Sequence, residues 1–253
     1  MVDKIKLEEM TSPEIGYAID SGFDTLVFAV GSNEQHGPVL AVSTDAIFGD
    51  DLAYLVAKRL GNALKGPTVN VGCSEHHMRF PGTITLWKKT LQAVIRDYCD
   101  SLARHDFRRI VVIPSHGGNF GPLAEIEEDL QKAHPGVKIV AYTDLQRFVE
   151  ILQGTSGRLG VSKEESGAHA GESEVSIMLW AREDLVRTEK IPEATGYLGE
   201  FGEEEAEKVF RNGIGALSPI GVLGSPGKAS REHGRIYLKD LADAIVEYIE
   251  QMS

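Results

Sequence analysis

Short apolar runs alternate along this chain with longer stretches in which apolar residues recur at helical spacing. The runs are almost continuously apolar, which is typical of strands buried on both faces of a parallel sheet. Between them, positions such as Leu52, Leu55, Val56 and Leu60 follow the helical period and indicate amphipathic helices. The strand candidates are residues 25–30, 66–71, 110–113 and 137–141. This alternation predicts an α/β fold, a three-layer α-β-α sandwich with a mainly parallel central sheet.

Helix and loop signals divide the remainder of the chain. Ser12 as N-cap and Pro13 at the first helical position begin a helix that ends near Gly22. A Gly- and Ser-rich connection is predicted over residues 154–171. The acidic segment at residues 200–212 is predicted to be a solvated helix with no role beyond solubility. Further helix candidates cover residues 121–132 and 238–249.

The bulk composition narrows the class of protein. With 253 residues and 42% apolar content, the chain is long enough for one core, and we expect a single domain over residues 1–253. The net charge of −12 and a pI near 5.2 argue against nucleic acid or an anionic membrane as partner. No apolar run has the length of a signal-peptide core or a bilayer span, so we expect a cytoplasmic protein.

Candidate metal ligands gather in the loop that follows the first predicted strand. Residues 31–45 contain Glu34, His36 and Asp45. In extended backbone, residues two apart point to the same side, so Glu34 and His36 can face one site. Asp45 stands at a predicted helix start, from which a carboxylate can reach across the loop.

Two further clusters follow a strand or open a helix. His116 comes after the strand at residues 110–113, and His169, Glu172 and Glu174 surround a predicted helix start. Because the carboxyl ends of parallel strands share one edge of the sheet, we expect the clusters to meet there. Mixed carboxylates and imidazoles suit Zn²⁺ or Mn²⁺, and five such ligands exceed what one catalytic ion takes from protein. The residues therefore predict two divalent ions with a bridging carboxylate and a shared water.

Five motifs together carry a resemblance to a known family. They are Gly31-Ser-Asn-Glu-Gln-His-Gly-Pro38, Thr44-Asp45, Phe80-Pro-Gly-Thr83, His116-Gly-Gly-Asn119 and His169-Ala-Gly-Glu-Ser-Glu174. In this order they resemble the creatininase (creatinine amidohydrolase) family, and the similarity extends from residue 7 to residue 234. The resemblance implies a metal-dependent hydrolase with two divalent ions per chain, Zn²⁺ or Mn²⁺ with Fe²⁺ as a further option. It also implies a homo-oligomer, with a hexamer favoured.

The resemblance assigns roles to individual residues. Glu34 and His116 are expected to hold one ion, His36 to hold the other, and Asp45 to bridge them. His169 matches the catalytic histidine of the family, which handles the proton passed to the leaving nitrogen.

One position departs from creatininase proper. That protein carries a ligand Glu two residues after the histidine of the second cluster, where this chain has Gly118. The best replacement is Glu172, and Glu174 then orients a ligand or the helix end. In the loop at residues 74–77, His77 either contacts the substrate or a ligand, or forms only a loop-stabilising hydrogen bond.

The substrate is less constrained than the metal site. The leading interpretation is hydrolysis of a C–N bond in a small, cyclic amide-type substrate by a metal-bridging hydroxide, as in creatinine amidohydrolase. Other branches of the family deformylate a formamidopyrimidine, trim a peptide during cofactor maturation, or hydrolyse cyclic keto-polyols or diketones. A non-catalytic α/β protein with a structural metal is disfavoured, because the ligand set lacks the closed Cys/His pattern of structural zinc.

Overall fold

Four parallel strands form the central sheet. They are β1 (Thr25–Val30), β2 (Ala63–Lys65), β3 (Arg109–Pro114) and β4 (Lys138–Ala141). The computed structural model describes residue 2 and residues 4–252, and within them the strand order is β2-β1-β3-β4. The register pairs Thr25 with both Ala63 and Arg109, and Arg109 with Lys138. The carboxyl ends of the strands therefore lie along one edge of the sheet.

Helices cover both faces of the sheet. They are α1 (Ser12–Asp20), α2 (Thr44–Leu60), α3 (Lys88–Ala103), α4 (Gly117–Ala133), α5 (Leu145–Arg158), α6 (Lys163–Ser166), α7 (Glu172–Arg182), α8 (Glu203–Asn212) and α9 (Arg231–Gln251). Short 3-10 helices join them, among them Glu75–His77. Within the described part of the chain, no helix combines the length and the apolar character needed to cross a membrane.

Alternate residues of the strands enter two separate cores. Leu26 and Phe28 of β1 pack with α1, α3 and α4, whereas Val27 and Ala29 pack with α2 and α9 on the other face. Successive side chains of a strand point to opposite faces, so a strand that is apolar throughout buries both of them. The predicted fold class, an α/β sandwich with a parallel sheet between layers of helices, is confirmed.

The second strand lies earlier than the apolar pattern predicts. We predict it over residues 66–71, but β2 ends at Lys65 and is continued by an isolated bridge at Val69. Lys65 is buried, and its ammonium lies 2.5 Å from a Glu8 oxygen and also contacts Asp50. A buried lysine whose acidic partners come from other segments of the chain resembles a surface residue in a hydropathy pattern, so the pattern misses this strand.

The Gly- and Ser-rich segment is more helical than its composition predicts. Residues 154–158 form the end of α5, and α6 covers part of the segment that follows. Phe148 anchors α5 in the same core as α9, so tertiary packing overrides the weak helix propensity of glycine. The predicted helices elsewhere are present, although α4 and α9 begin earlier than the apolar spacing indicates.

The close packing of α7 on α9 depends on Gly234. A Cβ atom at this position would lie 1.9 Å from the Ser176 carbonyl oxygen and 2.9 Å from the Ile177 nitrogen. Real carbon atoms cannot approach backbone this closely, so one of the two helices would have to move. A residue without a side chain therefore sets the distance between these helices.

Replacing Gly234 by Ala should destabilise the protein by about 1–3 kcal/mol, the usual cost of overpacking. Helix propensity alone favours Ala by about 1 kcal/mol, so the collision with the Ser176 carbonyl decides the sign. Urea titration measures the free energy of unfolding. Gly16→Ala in α1 is the control, because nothing lies within 4 Å of the new Cβ, and it should be neutral or stabilising. Equal effects of the two substitutions would contradict this account of the packing.

Candidate active site

The predicted ligands meet at the carboxyl edge of the sheet. The loop after β1 carries Glu34 and His36, and Asp45 lies in the first turn of α2. His116 is the N-cap residue of α4, which follows β3. The structure brings these four residues together, and each is at most 5% exposed.

Asn119 connects two loops of this site to the sheet. Its amide nitrogen donates to the carbonyls of Val30 and Gly31, at 3.0 and 2.9 Å, and its amide oxygen accepts from the Cys73 backbone at 3.0 Å. Asn119 is completely buried, so these bonds are shielded from competing water. One side chain thus positions both the loop after β1 and the loop that carries Glu75–His77.

Two groups of metal-ligand atoms share the Asp45 carboxylate. In the first group, His116 Nδ1 lies 3.2 Å from Glu34 Oε1 and 3.4 Å from Asp45 Oδ2. In the second, His36 Nε2 lies 3.3 Å from Asp45 Oδ1 and 3.7 Å from Glu174 Oε2. Within each group the ligand atoms lie within 4.8 Å of one another. Asp45 offers one oxygen to each group, which is the geometry of a bridging carboxylate.

Several buried ligand atoms lack a hydrogen-bond partner among the described residues. They are both carboxylate oxygens of Glu34, Nε2 of His36 and Oδ2 of Asp45. The nearby imidazoles are close to these oxygens but do not form hydrogen bonds with them. Buried polar atoms are rarely left unpaired, because each costs about 1–3 kcal/mol. Divalent cations fit this set of atoms, because a cation would supply the partner that these carboxylate and imidazole lone pairs lack.

Backbone carbonyls orient the two imidazoles of the groups. His36 Nδ1 donates to the Glu34 carbonyl at 3.0 Å, and His116 Nε2 donates to the Cys73 carbonyl at 3.0 Å. In each ring the other nitrogen therefore presents its lone pair to the carboxylates, as a metal ligand must.

The same two imidazoles bind protons tightly without a metal. Burial opposes their charged form, but the adjacent carboxylates outweigh it. Asp45, with Glu174 and Glu34, raises the pKa of His36 to about 10, and Glu34, with Asp45, raises the pKa of His116 to about 9. A metal ion takes the place of these protons, so metal binding must release them.

The structure does not place Glu172 in either group, in contrast to the prediction. Its Oε1 accepts from Ser176 Oγ at 2.8 Å and contacts His233 Nδ1 at 2.7 Å, and its Oε2 accepts from Tyr237 at 2.6 Å. Residues two apart on a helix point in widely different directions, so only one of the two carboxylates can face the site. Glu172 faces α9, and Glu174 faces His36.

Position 118, where the resemblance to creatininase proper implies a ligand Glu, has no space for a side chain. A Cβ atom on Gly118 would lie 2.2 Å from the Cys73 carbonyl oxygen and 2.6 Å from His116 Nε2, which excludes any side chain there. Glu174 Oε2 also accepts from the Ala170 backbone at 2.6 Å. Burial raises the pKa of Glu174 to about 7, against the lowering effect of the His36 imidazolium.

His169 presents a free lone pair to the same cluster. Its Nε2 donates to the Gln35 carbonyl at 2.7 Å, and its Nδ1 lies 3.6 Å from Glu34 Oε1. Burial lowers the pKa of His169 well below its ordinary value, and the positive charges of His36 and His77 act in the same direction. A neutral imidazole with an unprotonated Nδ1 can accept a proton at this point.

Gln35 determines which nitrogen of His77 carries the proton. Its amide nitrogen donates to His77 Nδ1 at 2.9 Å and to the Gly221 carbonyl at 3.0 Å, which uses both N–H bonds. The same nitrogen lies 3.1 Å from His169 Nε2, but that atom already donates elsewhere. His77 therefore keeps its proton on Nε2, 3.5 Å from Glu34 Oε1. The sequence indicates Gln35 only by its place between two ligands.

His76 is a site residue to which the sequence analysis assigns no role. Its ring stacks on His116 with centroids 5.7 Å apart and an interplanar angle of 12°. It also forms a third group of potential ligand atoms with Glu34 and His77. Burial, with the His116 charge, lowers its pKa to about 4, so it is neutral at physiological pH. Two adjacent histidines in one polar loop are the signal that could have pointed to it.

A cavity of about 570 Å³ opens above the ligand groups. Glu34, Asp45, His116 and Glu174 line its inner end, together with His169. The remaining walls are largely apolar and come from α2, α4, α5, α7 and α8. The reactive groups therefore lie at the end of a pocket large enough for a drug-sized molecule, for which about 300–1,000 Å³ is typical.

Comparison with known proteins agrees with this geometry. The family model described as creatinine amidohydrolase matches residues 8–249. The chain is 27% identical to a mycofactocin precursor peptide peptidase of Mycobacterium ulcerans (strain Agy99), over 91% of this chain and 86% of that relative. It is 28% identical to a creatinine amidohydrolase of Pseudomonas putida, over 99% and 98% of the two chains. A crystal structure of creatinine amidohydrolase (creatininase) superposes with a TM-score of 0.82, at 26% identity and 98% coverage of both chains.

The parallel sheet and the buried ligand groups define an α/β protein with a candidate two-metal centre. The chain belongs to the creatininase family, because the family model covers nearly all of its length. Members of this family are metal-dependent amidohydrolases, so the protein is an enzyme of that class.

Replacing Gln35 by Glu should move the proton of His77 to Nδ1, because a carboxylate there can only accept. The ¹⁵N chemical shifts of histidine-labelled, metal-free protein report which ring nitrogen is protonated. Hydrolytic activity should fall about 10–100-fold, as is usual when a residue that orients a site histidine is changed. Gln153→Glu adds the same charge to the cavity wall and should leave the His77 shifts unchanged. Protonation of His77 Nδ1 in the unsubstituted protein would refute the assignment.

Proposed function

We propose that this protein is a two-metal hydrolase that cleaves a C–N bond of an amide. One divalent ion would be held by Glu34, Asp45 and His116, and the other by His36, Asp45 and Glu174. The observation that carries the proposal is the buried Asp45 carboxylate shared by two ligand groups, with unpaired atoms on each side. Zn²⁺ or Mn²⁺ bound there would lower the pKa of water and polarise the substrate carbonyl.

Two histidines would handle protons and orient the substrate. His169 is proposed to accept a proton at Nδ1 and to return it to the leaving nitrogen. This atom faces Glu34, and the hydrogen bond of the ring to the Gln35 carbonyl is made through Nε2. His77 is proposed to direct its Nε2 proton toward a substrate oxygen beside Glu34, and its proximity to the cluster supports a role beyond loop stabilisation. The fixed tautomers of both rings support these assignments.

The substrate class follows from the family and the cavity together. A small cyclic amide such as creatinine is the first candidate, since a relative that matches over nearly its whole length is a creatinine amidohydrolase. A peptide is the second candidate. It is supported by the relative named as a peptide peptidase and by a cavity larger than a single small ring requires. Assembly as a homo-oligomer in the cytoplasm is part of the proposal and is open to measurement of the native mass.

The metal content of variants distinguishes the two α7 carboxylates. After reconstitution with Zn²⁺ or Mn²⁺, the protein should hold about two ions per chain, as measured by elemental analysis. Asp45→Asn should lose both ions, because the bridge needs two anionic oxygens. Glu174→Gln should keep about one ion, whereas the matched substitution Glu172→Gln should keep both. Loss of an ion from Glu172→Gln, with none lost from Glu174→Gln, would restore the sequence-based assignment.

A substrate panel tests the reaction itself. Metal-loaded protein should hydrolyse at least one member of a set containing creatinine, cyclic imides, lactams, formamides and short peptides. A chelator should abolish the reaction, and Asp45→Asn should lower kcat/KM by at least about 100-fold, the loss expected on removal of a shared metal ligand. A protein that holds two ions yet cleaves no amide would overturn the proposed reaction.

A further inference from the structure

One wall of the cavity is an apolar stripe on α5. Leu145, Phe148, Val149 and Leu152 follow one another at helical spacing, and all four line the cavity. Phe148 is buried, but Leu145 and Val149 are 37% and 36% exposed. A helix normally turns such a stripe toward the core. Here part of the stripe faces the space above the ligand groups.

A second part of the cavity wall comes from α8 and the segment before it. Val209 and Phe210 of α8 line the cavity, as does Phe201, and the exposed fractions of Phe210 and Phe201 are 57% and 37%. The Phe210 ring lies 4.7 Å from that of His76, so this wall reaches the edge of the histidine cluster. The acidic α8 therefore does more than confer solubility.

The cavity has a polar end, formed by the ligand groups, and apolar side walls. Buried carboxylates and imidazoles line one end, aliphatic and aromatic side chains of α5 and α8 line the sides, and Lys163, Glu164 and Glu200 are charged members of the lining. Exposed apolar groups arranged around one opening usually mark a binding surface, because leaving them in water is unfavourable. Because the apolar walls adjoin the reactive groups, a group that binds against these walls would belong to the substrate.

We propose that the substrate carries an apolar group, the size of an aromatic ring or larger, next to the scissile amide. This inference rests on the proposed function, because it places the carbonyl at the inner end of the cavity. The apolar group then extends between α5 and α8 toward the mouth. Creatinine has no such group and would leave these walls uncovered, so among small cyclic amides the inference favours those that carry an apolar substituent.

Paired substrates test the inference. Hydantoin and 5-benzylhydantoin form one pair, and N-acetylglycinamide and N-acetylphenylalaninamide form another. The two members of each pair differ only in a benzyl group. For the pair that is hydrolysed, kcat/KM should be at least about tenfold higher for the benzyl compound, as filling an apolar pocket usually gives. Calorimetry with metal-free protein should show the same preference in binding.

A variant of the wall links this preference to the structure. Phe210→Ala should lower the ratio of kcat/KM between the benzyl compound and the unsubstituted compound at least about threefold. Because Phe210 is largely exposed, the substitution leaves the core intact. Tyr17→Ala is the matched control, since Tyr17 is 59% exposed on α1, away from the cavity, and it should keep the full preference.

The outcomes separate this inference from the proposed reaction. If no amide is cleaved but benzyl compounds still bind better, the reaction fails and the apolar subsite stands. Equal or weaker turnover and binding of the benzyl compounds would overturn the subsite while leaving the hydrolase intact. Dissociation of an oligomer by Phe210→Ala, without any benzyl preference, would also overturn it, because the walls would then contact a second copy of the chain.

Discussion

The main physical constraint on this structure is that it must hold several carboxyl groups close together around Asp45. Glu34 and Asp45 are buried and Glu174 is half-buried, so three carboxyl groups lie close together where the dielectric constant is lower than in water, and they repel one another. His36 and His116 relieve the repulsion only by binding protons, which is why their pKa values rise despite burial. The Asp45 carboxylate has one further source of support. It lies in the first turn of α2, where the helix dipole favours negative charge.

Holding such a cluster requires rigid elements on every side. The sheet edge and α2 carry most of the candidate ligands, but Glu174 comes from α7, which packs on α9. The buried Glu172 carboxylate receives hydrogen bonds from Tyr237 and contacts His233, both on α9, while Gly234 lets the two helices approach closely. Glu172 is therefore a positioning residue in the geometry, two residues before Glu174 and on the other side of α7.

The parts of the site that follow from local rules could be predicted from the sequence. Glu34 and His36 face one site because they are two apart in extended backbone, and His116 joins them because parallel strands end at one edge. The choice between Glu172 and Glu174 could not be predicted, because it depends on how α7 is rotated against α9, a tertiary relation that motif position does not contain. Strand β2 was hidden for a similar reason, since its charged residue, Lys65, is buried against acidic partners from other segments of the chain.

The apolar walls and the charged cluster also affect each other. Apolar side chains above the cluster exclude water, and a drier site strengthens every electrostatic interaction within it. This strengthening increases the repulsion between the carboxylates as much as their attraction for cations. The same walls that would select an apolar substrate group therefore increase the dependence of the site on positive charge, whether protons on His36 and His116 or metal ions provide it. In the proposed enzyme, substrate selection and metal retention would thus depend on one physical property, the apolar lining above the charged cluster.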